Sequence, residues 1–83
     1  MKMTNMTLYY KPTCPFCVKV LTFMKANDIE LELKNTEEPG IRDELVQLNG
    51  KSQVPCLVVG GHPMLESDDI ISFLNTVINQ EIE

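Results

Sequence analysis

The chain is poor in tryptophan, cysteine and positive charge, and each shortage excludes something. It has no tryptophan, only three cysteines, and seven lysines and arginines against twelve acidic residues, for a net charge of -5. Without tryptophan, a fluorescence signal rests on Tyr9 and Tyr10. Three cysteines are too few, and odd in number, for a disulfide scaffold. The negative charge disfavours nucleic acid and anionic membranes, which bind basic surfaces, and the apolar runs are too short to cross a membrane.

The size and composition indicate one small folded unit. Of the 83 residues, 43% are apolar, which is enough to form a core. The charged fraction of 23% argues against disorder. We therefore expect a single domain over residues 1–83. The first seven residues include a lysine but no apolar run, so they do not have the pattern of a signal peptide. The expected location is cytoplasmic, where thiols stay reduced.

The charges are distributed unevenly along the chain. Residues 1–27 contain four lysines and no acid, whereas residues 28–83 contain Lys34, Arg42 and Lys51 together with all twelve acids. A basic end in an acidic protein suggests a local role for that charge.

The spacing of apolar residues predicts seven elements in the order β-α-β-α-β-β-α. Alternating or β-branched runs predict strands, and apolar residues three or four positions apart predict helices. The strands are expected at residues 6–10, 29–33, 55–59 and 62–65, and the helices at 15–27, 38–48 and from 67 onward. The first three elements form a βαβ unit, whose two strands are parallel with a right-handed connection.

Cys14 and Cys17 form a C-x-x-C motif at the predicted start of the first helix. Backbone N–H groups and the positive end of the dipole at a helix N-terminus both stabilise a thiolate. Cys14 is better placed for this than Cys17, which lies a turn deeper. We therefore expect Cys14 to attack a disulfide and Cys17 to resolve the mixed disulfide. Lys11 and Lys19 would add positive charge nearby.

Two other interpretations of the motif stay open at this point. The cysteines could be structural, or they could be half of a zinc site. A structural zinc site needs four ligands, and only Cys56 and His62 remain as candidates. A C-x-x-C motif within a βαβ unit is the context that favours redox chemistry.

The residues around the motif resemble the active-site signature of dithiol glutaredoxins, which belong to the thioredoxin superfamily. The usual pattern is Lys-Pro-x-Cys-Pro-Tyr-Cys, and residues 11–17 match it except that Phe16 replaces the tyrosine. The resemblance implies that Lys11 helps to hold glutathione.

A second match is the segment Gln53, Val54 and Pro55, where glutaredoxins typically have Thr-Val-Pro with the proline in cis. The resemblance implies a cis Pro55 beside the dithiol. It also implies that the backbone of Val54 pairs with the glutathione cysteine as an added strand residue does. Gln53 departs from the usual threonine.

A third match begins at the glycine pair at 60–61 and ends at Ser67 and Asp68. Leu65 and Glu66 replace a second glycine pair, so that Glu-Ser-Asp is closer to the glutathione-binding turn of glutathione transferases. Free N–H groups and the Ser67 hydroxyl can donate to a carboxylate, and Asp68 can accept from an ammonium. The γ-glutamyl end of glutathione carries both groups. An ordinary helix N-cap would explain the same residues without a ligand.

The resemblance implies an α/β thioredoxin fold with a four-stranded mixed sheet and three helices. It also implies a glutathione-dependent thiol–disulfide oxidoreductase that serves cell redox homeostasis. Cys14 and Cys17 would be catalytic, and Lys11, Gln53, Val54, Pro55, Ser67 and Asp68 would bind glutathione. The expected partners are glutathione, as co-substrate, and disulfide-containing or glutathionylated proteins. We expect a monomer with no metal or bound prosthetic group.

Three rival functions are compatible with the same residues. One is an electron donor of similar structure that thioredoxin reductase recharges. Another is an iron–sulfur carrier that shares a cluster between two chains through Cys14 and glutathione, although Pro15 argues against it because such relatives often have glycine there. The third is a copy of the fold that only binds a protein partner, which the intact C-x-x-C disfavours.

Overall fold

The structure is a computed structural model that describes residues 2–82, and it contains the seven predicted elements in the predicted order. Their bounds are β1 Lys2–Tyr10, α1 Pro15–Ala26, β2 Glu30–Asn35, α2 Ile41–Asn49, β3 Cys56–Val59, β4 His62–Met64 and α3 Ser67–Ile82.

The four strands form one mixed sheet in the order β2-β1-β3-β4. β1 is parallel to β2 and antiparallel to β3, and β3 is antiparallel to β4. β1 and β3 are the central strands, and Tyr9 near the end of β1 pairs with Cys56 at the start of β3. The loop after β1 and the loop before β3 therefore lie side by side at the middle of one edge of the sheet. The mixed sheet with three helices confirms the predicted thioredoxin fold.

Each face of the sheet has its own core, because neighbouring residues of a strand point to opposite faces. Leu8 and Leu57 face α1 and α3 and are fully buried in the larger core. Tyr9 and Cys56 face the other side, where the buried Leu45 of α2 covers them. The end of β1, just before the C-x-x-C motif, is thus packed from both sides.

The second helix begins later than the sequence predicts, at Ile41 instead of residue 38. Gly40 precedes it with a φ of 84°, which lies outside the right-handed helical region. The N–H groups of Glu38 and Ile41 instead close turns with the carbonyls of Asn35 and Glu38. The acidic residues before Gly40 therefore belong to a turn.

The first strand is longer than predicted and irregular. It begins at Lys2, and its pairing with β2 shifts between Lys2 and Thr7, where Asn5 has a φ of 67°. This irregularity lies far from the C-x-x-C end of the strand, so it leaves the candidate site regular. Within residues 2–82, no helix is long and apolar enough to cross a membrane.

Candidate functional site

Cys14 is the residue immediately before α1, and Pro15 is the first residue of that helix. Proline fits this position because its fixed φ suits a helix start and its missing N–H would have had no partner within the helix. Cys14 has an extended backbone, and its side chain makes no capping hydrogen bond. The thiol is half-buried, and because it makes no capping bond it is free to react.

The surroundings of Cys14 favour its thiolate. Burial raises the pKa of the Cys14 thiol, but hydrogen bonds from the backbone N–H and thiol of Cys17 and from the N–H of Phe16 lower it. The charge of Lys11 lowers it further, so that the pKa lies below its ordinary value. This is the direction that the sequence predicts.

Cys17 has the opposite environment. Its side chain is fully buried, and the backbone N–H of Lys11 donates to its sulfur over 3.4 Å. Burial, together with the hydrogen bond to Cys14 and the charge of Cys14, raises the pKa of Cys17 to about 11, although the Lys11 N–H opposes the shift. The two thiols are therefore unequal: the half-buried Cys14 has a lowered pKa, and the buried Cys17 has a raised one.

The peptide bond between Val54 and Pro55 is cis, which confirms the prediction made from the resemblance. The carbonyl oxygen of Val54 lies 4.0 Å from the Sγ of Cys14. Backbone atoms of the segment before β3 therefore lie beside the reactive sulfur.

A cleft of about 210 Å³ includes Val54 in its lining and contains five of the predicted glutathione-binding residues. Its lining consists of Phe16, Gln53, Val54, Pro55, Leu65, Glu66, Ser67 and Asp68. Ser67 begins α3, and the ring of Phe16 is 62% exposed. The cleft thus joins an apolar wall beside the dithiol to the N-terminus of a helix with acidic side chains.

Lys19 does not act on Cys14 as the sequence predicts. Its Nζ lies 2.5 Å from Oδ1 of Asp68, which joins α1 to the start of α3. Among the positively charged side chains, Lys11 is the one that lowers the pKa of Cys14. The carboxylate of Asp68 neutralises Lys19, and the local field at the sulfur therefore depends on Lys11.

A second cleft, of about 520 Å³, shares Val54 as a lining residue with the first. It is lined by Lys11, Thr36, Glu37, Arg42, Ser52 and Val54. We call it the basic cleft, since Lys11 and Arg42 outnumber the single acid. The sequence prediction placed Lys11 here but missed Arg42. The available signal was weak: Arg42 is the only basic residue between Lys34 and Lys51.

Cys56 and His62, the remaining zinc candidates, do not form a ligand set with the dithiol in the described residues. Cys56 is fully buried in the core under α2, and burial raises the pKa of its thiol. His62 is exposed on β4. In the part of the chain that the structure describes, no three His, Cys, Asp or Glu side chains are grouped closely enough to hold a metal ion.

Comparison with solved structures gives matches among glutathione-related proteins. Glutathione S-transferase 1-6 from Anopheles dirus species B is 34% identical with a TM-score of 0.70, and the match covers 86% of this chain and 35% of that one. A buckwheat glutaredoxin in complex with glutathione has a TM-score of 0.66 at 17% identity, covering 87% of this chain and 69% of that one. At that identity, the second likeness shows the fold alone.

Sequence comparison points to the same superfamily. Prostaglandin E synthase 2 of Danio rerio is 36% identical over 78 residues. The match covers 93% of this chain but only 20% of that longer protein. The family model for glutaredoxin matches residues 6–64, which include the dithiol, the cis-proline segment and β4. The chain therefore belongs to the glutaredoxin family.

Proposed function

We propose that this chain is a glutathione-dependent thiol–disulfide oxidoreductase that reduces protein disulfides or glutathione mixed disulfides through Cys14 and Cys17. The unequal thiol pair carries the proposal: Cys14 has a lowered pKa, and the buried Cys17 has a raised one. Exchange through a dithiol needs one cysteine that ionises readily and attacks, and a second that stays protonated until it resolves the mixed disulfide. A purely structural pair does not require unequal pKa values.

In the first step, the thiolate of Cys14 attacks the glutathione sulfur of a mixed disulfide. A bond forms between Cys14 and glutathione, and the original S–S bond breaks. The target protein leaves as a thiolate and takes a proton from water, so the target is reduced while Cys14 becomes part of the new disulfide. When a protein disulfide is attacked instead, Cys14 forms the mixed disulfide with that protein.

In the second step, Cys17 can attack the Cys14 sulfur, which forms a Cys14–Cys17 disulfide and releases glutathione or the target protein as a thiolate. Alternatively, a second glutathione attacks the sulfur of the bound glutathione, which forms oxidised glutathione and releases the Cys14 thiolate. The hydrogen bond and charge of Cys14 both raise the pKa of Cys17. Once the Cys14 sulfur is in a disulfide, both contributions are lost, and Cys17 ionises more readily. The first step thereby prepares the second.

Glutathione fits across the two clefts, with its cysteine beside Val54. The γ-glutamyl end carries a carboxylate and an ammonium, which suit the Ser67 hydroxyl with the free N–H groups of α3 and the carboxylate of Asp68. The glycine carboxylate at the other end suits Lys11 and Arg42 of the basic cleft. The backbone of Val54 would pair with the central cysteine, as an added strand does.

Glutathione enters this scheme as a co-substrate. Free glutathione restores the dithiol, and NADPH supplies the electrons through a separate reductase. The proposed setting is a monomer in the cytoplasm, acting on glutathionylated or disulfide-containing proteins.

A coupled assay tests the proposal. Reduction of a glutathionylated peptide is followed by NADPH consumption with glutathione and glutathione reductase, for wild type, Cys14→Ser, Cys17→Ser and the control Cys56→Ser. We expect Cys14→Ser to abolish turnover and Cys56→Ser to retain it. Retention in Cys17→Ser indicates the monothiol route, and loss indicates the dithiol route. Turnover with thioredoxin reductase but not with glutathione would contradict the glutathione site.

A further inference from the structure

Two side chains on the α2 side of the sheet converge on one carboxylate oxygen of Glu44. The hydroxyl of Tyr9 donates to Oε2 of Glu44 over 2.5 Å, and the Nζ of Lys34 donates to the same oxygen over 2.6 Å. The Lys34 Nζ also lies 5.9 Å from the centre of the Tyr9 ring. We call these residues the α2 tie, because they join β1 and β2 to α2.

The tie residues are close in sequence to residues that line the basic cleft. Tyr9 on β1 is two residues before Lys11, Lys34 on β2 is two residues before Thr36, and Glu44 is two residues after Arg42 on α2. Each tie residue thus belongs to a segment that supplies a wall of the cleft. Thr36 adds a further link, since its N–H donates to the carbonyl of Tyr10 over 2.9 Å.

The tie also keeps a carboxylate away from the basic residues. Glu44 is on the same short helix as Arg42, and its charge is taken up by Lys34 and the Tyr9 hydroxyl. Within residues 2–82, neither Lys11 nor Arg42 has an ion-pair partner. Of the described residues that line the cleft with them, Glu37 is the one acid. Both cations therefore stay available for an anion.

We propose that Tyr9, Lys34 and Glu44 are positioning residues that hold Arg42 and Lys11 at the spacing that recognises the glycine carboxylate of a glutathionyl group. This rests on the proposed function. It assigns to side chains outside the two clefts a part in choosing the tripeptide over γ-glutamylcysteine, which lacks the glycine.

The test compares two substrates that differ only at that end. A reporter peptide is linked by a disulfide either to glutathione or to γ-glutamylcysteine, and kcat/KM for release of the peptide thiol is measured with each. Tyr9→Phe removes one hydroxyl and keeps the buried ring. The matched control is Tyr10→Phe, because the neighbouring Tyr10 packs against the opposite core.

Wild type should prefer the glutathionyl reporter. Tyr9→Phe and Glu44→Gln should each lower kcat/KM for that reporter by about threefold to tenfold and leave the γ-glutamylcysteinyl reporter unchanged. This is the net effect expected for losing or weakening one typical hydrogen bond. Arg42→Gln should remove the same preference, and adding Tyr9→Phe to it should have little further effect. Tyr10→Phe should behave as wild type.

The outcomes separate this inference from the proposed function. If wild type releases neither reporter, the proposed function fails and the inference fails with it. If wild type prefers the glutathionyl reporter but Tyr9→Phe and Glu44→Gln keep that preference, only the inference is overturned. Equal losses on both reporters would also overturn it, because they indicate a general loss of folded protein.

Discussion

The ammonium of Lys19 lies 2.5 Å from the carboxylate of Asp68, so a residue that lines the proposed γ-glutamyl cleft has a cationic partner within the chain. Both side chains are largely exposed, at 54% and 81%. Exposed ion pairs contribute about 0–1 kcal/mol, so a ligand ammonium can replace Lys19 readily. The pair shows that Asp68 faces a position where positive charge is bound.

We therefore expect Asp68→Asn to weaken recognition of the glutathione amino group. The kcat/KM for a glutathionylated peptide should fall by about threefold to tenfold, because the amide oxygen of asparagine can still accept a hydrogen bond but lacks the charge that strengthens it. The same peptide carrying deaminated glutathione should react at an unchanged rate, which is measured in parallel.

The control for Asp68 is Asp69→Asn, an equal change of charge on the next residue of α3. Asp69 is exposed and does not line the cleft. Equal losses in the two variants would indicate a general effect of charge and contradict a contact to Asp68.

The titration of Cys14 provides a second prediction. In Cys17→Ser, thiolate absorbance near 240 nm should rise with a midpoint below the value of about 8.5 for a free cysteine, since the N–H groups and Lys11 still favour the thiolate. Lys11→Met should move the midpoint upward. A midpoint near 8.5 in Cys17→Ser would contradict the activated nucleophile.

The α2 tie predicts an unusual titration for Tyr9. Burial raises the pKa of the Tyr9 hydroxyl, and the hydrogen bond and charge of Glu44 raise it further. In Tyr10→Phe, Tyr9 is the only tyrosine, and absorbance at 295 nm should report a midpoint well above the usual value of about 10. Glu44→Gln should lower that midpoint. A midpoint near 10 in the Tyr10→Phe protein that keeps Glu44 would contradict the hydrogen bond between Tyr9 and Glu44.

The same shift has a consequence for stability. The raised pKa means that the folded state favours the neutral Tyr9 hydroxyl. The contribution of this hydroxyl to the free energy of unfolding is therefore complete below about pH 10 and is lost as the pH rises through the shifted pKa. Denaturant unfolding of the Tyr10→Phe chain at increasing pH should show this loss. Adding Tyr9→Phe should make the alkaline decline shallower.

Core packing gives a prediction that is independent of the site. Leu8 is fully buried between the sheet and the two helices α1 and α3. Leu8→Ala should lower the free energy of unfolding by about 2–5 kcal/mol, because it removes apolar contacts and leaves a cavity. The exposed Val18 provides the control: Val18→Ala should change stability by at most about 0.5 kcal/mol. Similar effects in the two variants would contradict the described core.

The sequence predicted the element order well because periodicity is a local property. Leu8 and Leu57 alternate with polar or oppositely facing residues, and the helical spacing of Ile70 and Leu74 is equally plain. The start of α2 was wrong by three residues, because Gly40 and its positive φ decide where the acidic turn ends. A run of acidic residues is compatible with either a turn or a first helical turn.

The site was predictable only where motifs are contiguous. The Cys14–Cys17 pair and the cis Pro55 each depend on a few adjacent residues. Arg42 and Lys11 line the same cleft only in the folded chain. The hydrogen bond between Tyr9 and Glu44, which are 35 positions apart, also forms only there. Such contacts depend on how α2 is placed on the sheet, which no local pattern contains.

The most direct test of the central claim is the transfer of glutathione to Cys14. Cys17→Ser is mixed with a glutathionylated peptide, and the products are identified by mass spectrometry after acid quenching. We predict one glutathione on the protein, mapped to Cys14, and an equal amount of free peptide thiol. A peptide that stays glutathionylated, or glutathione mapped to Cys56, would contradict the account.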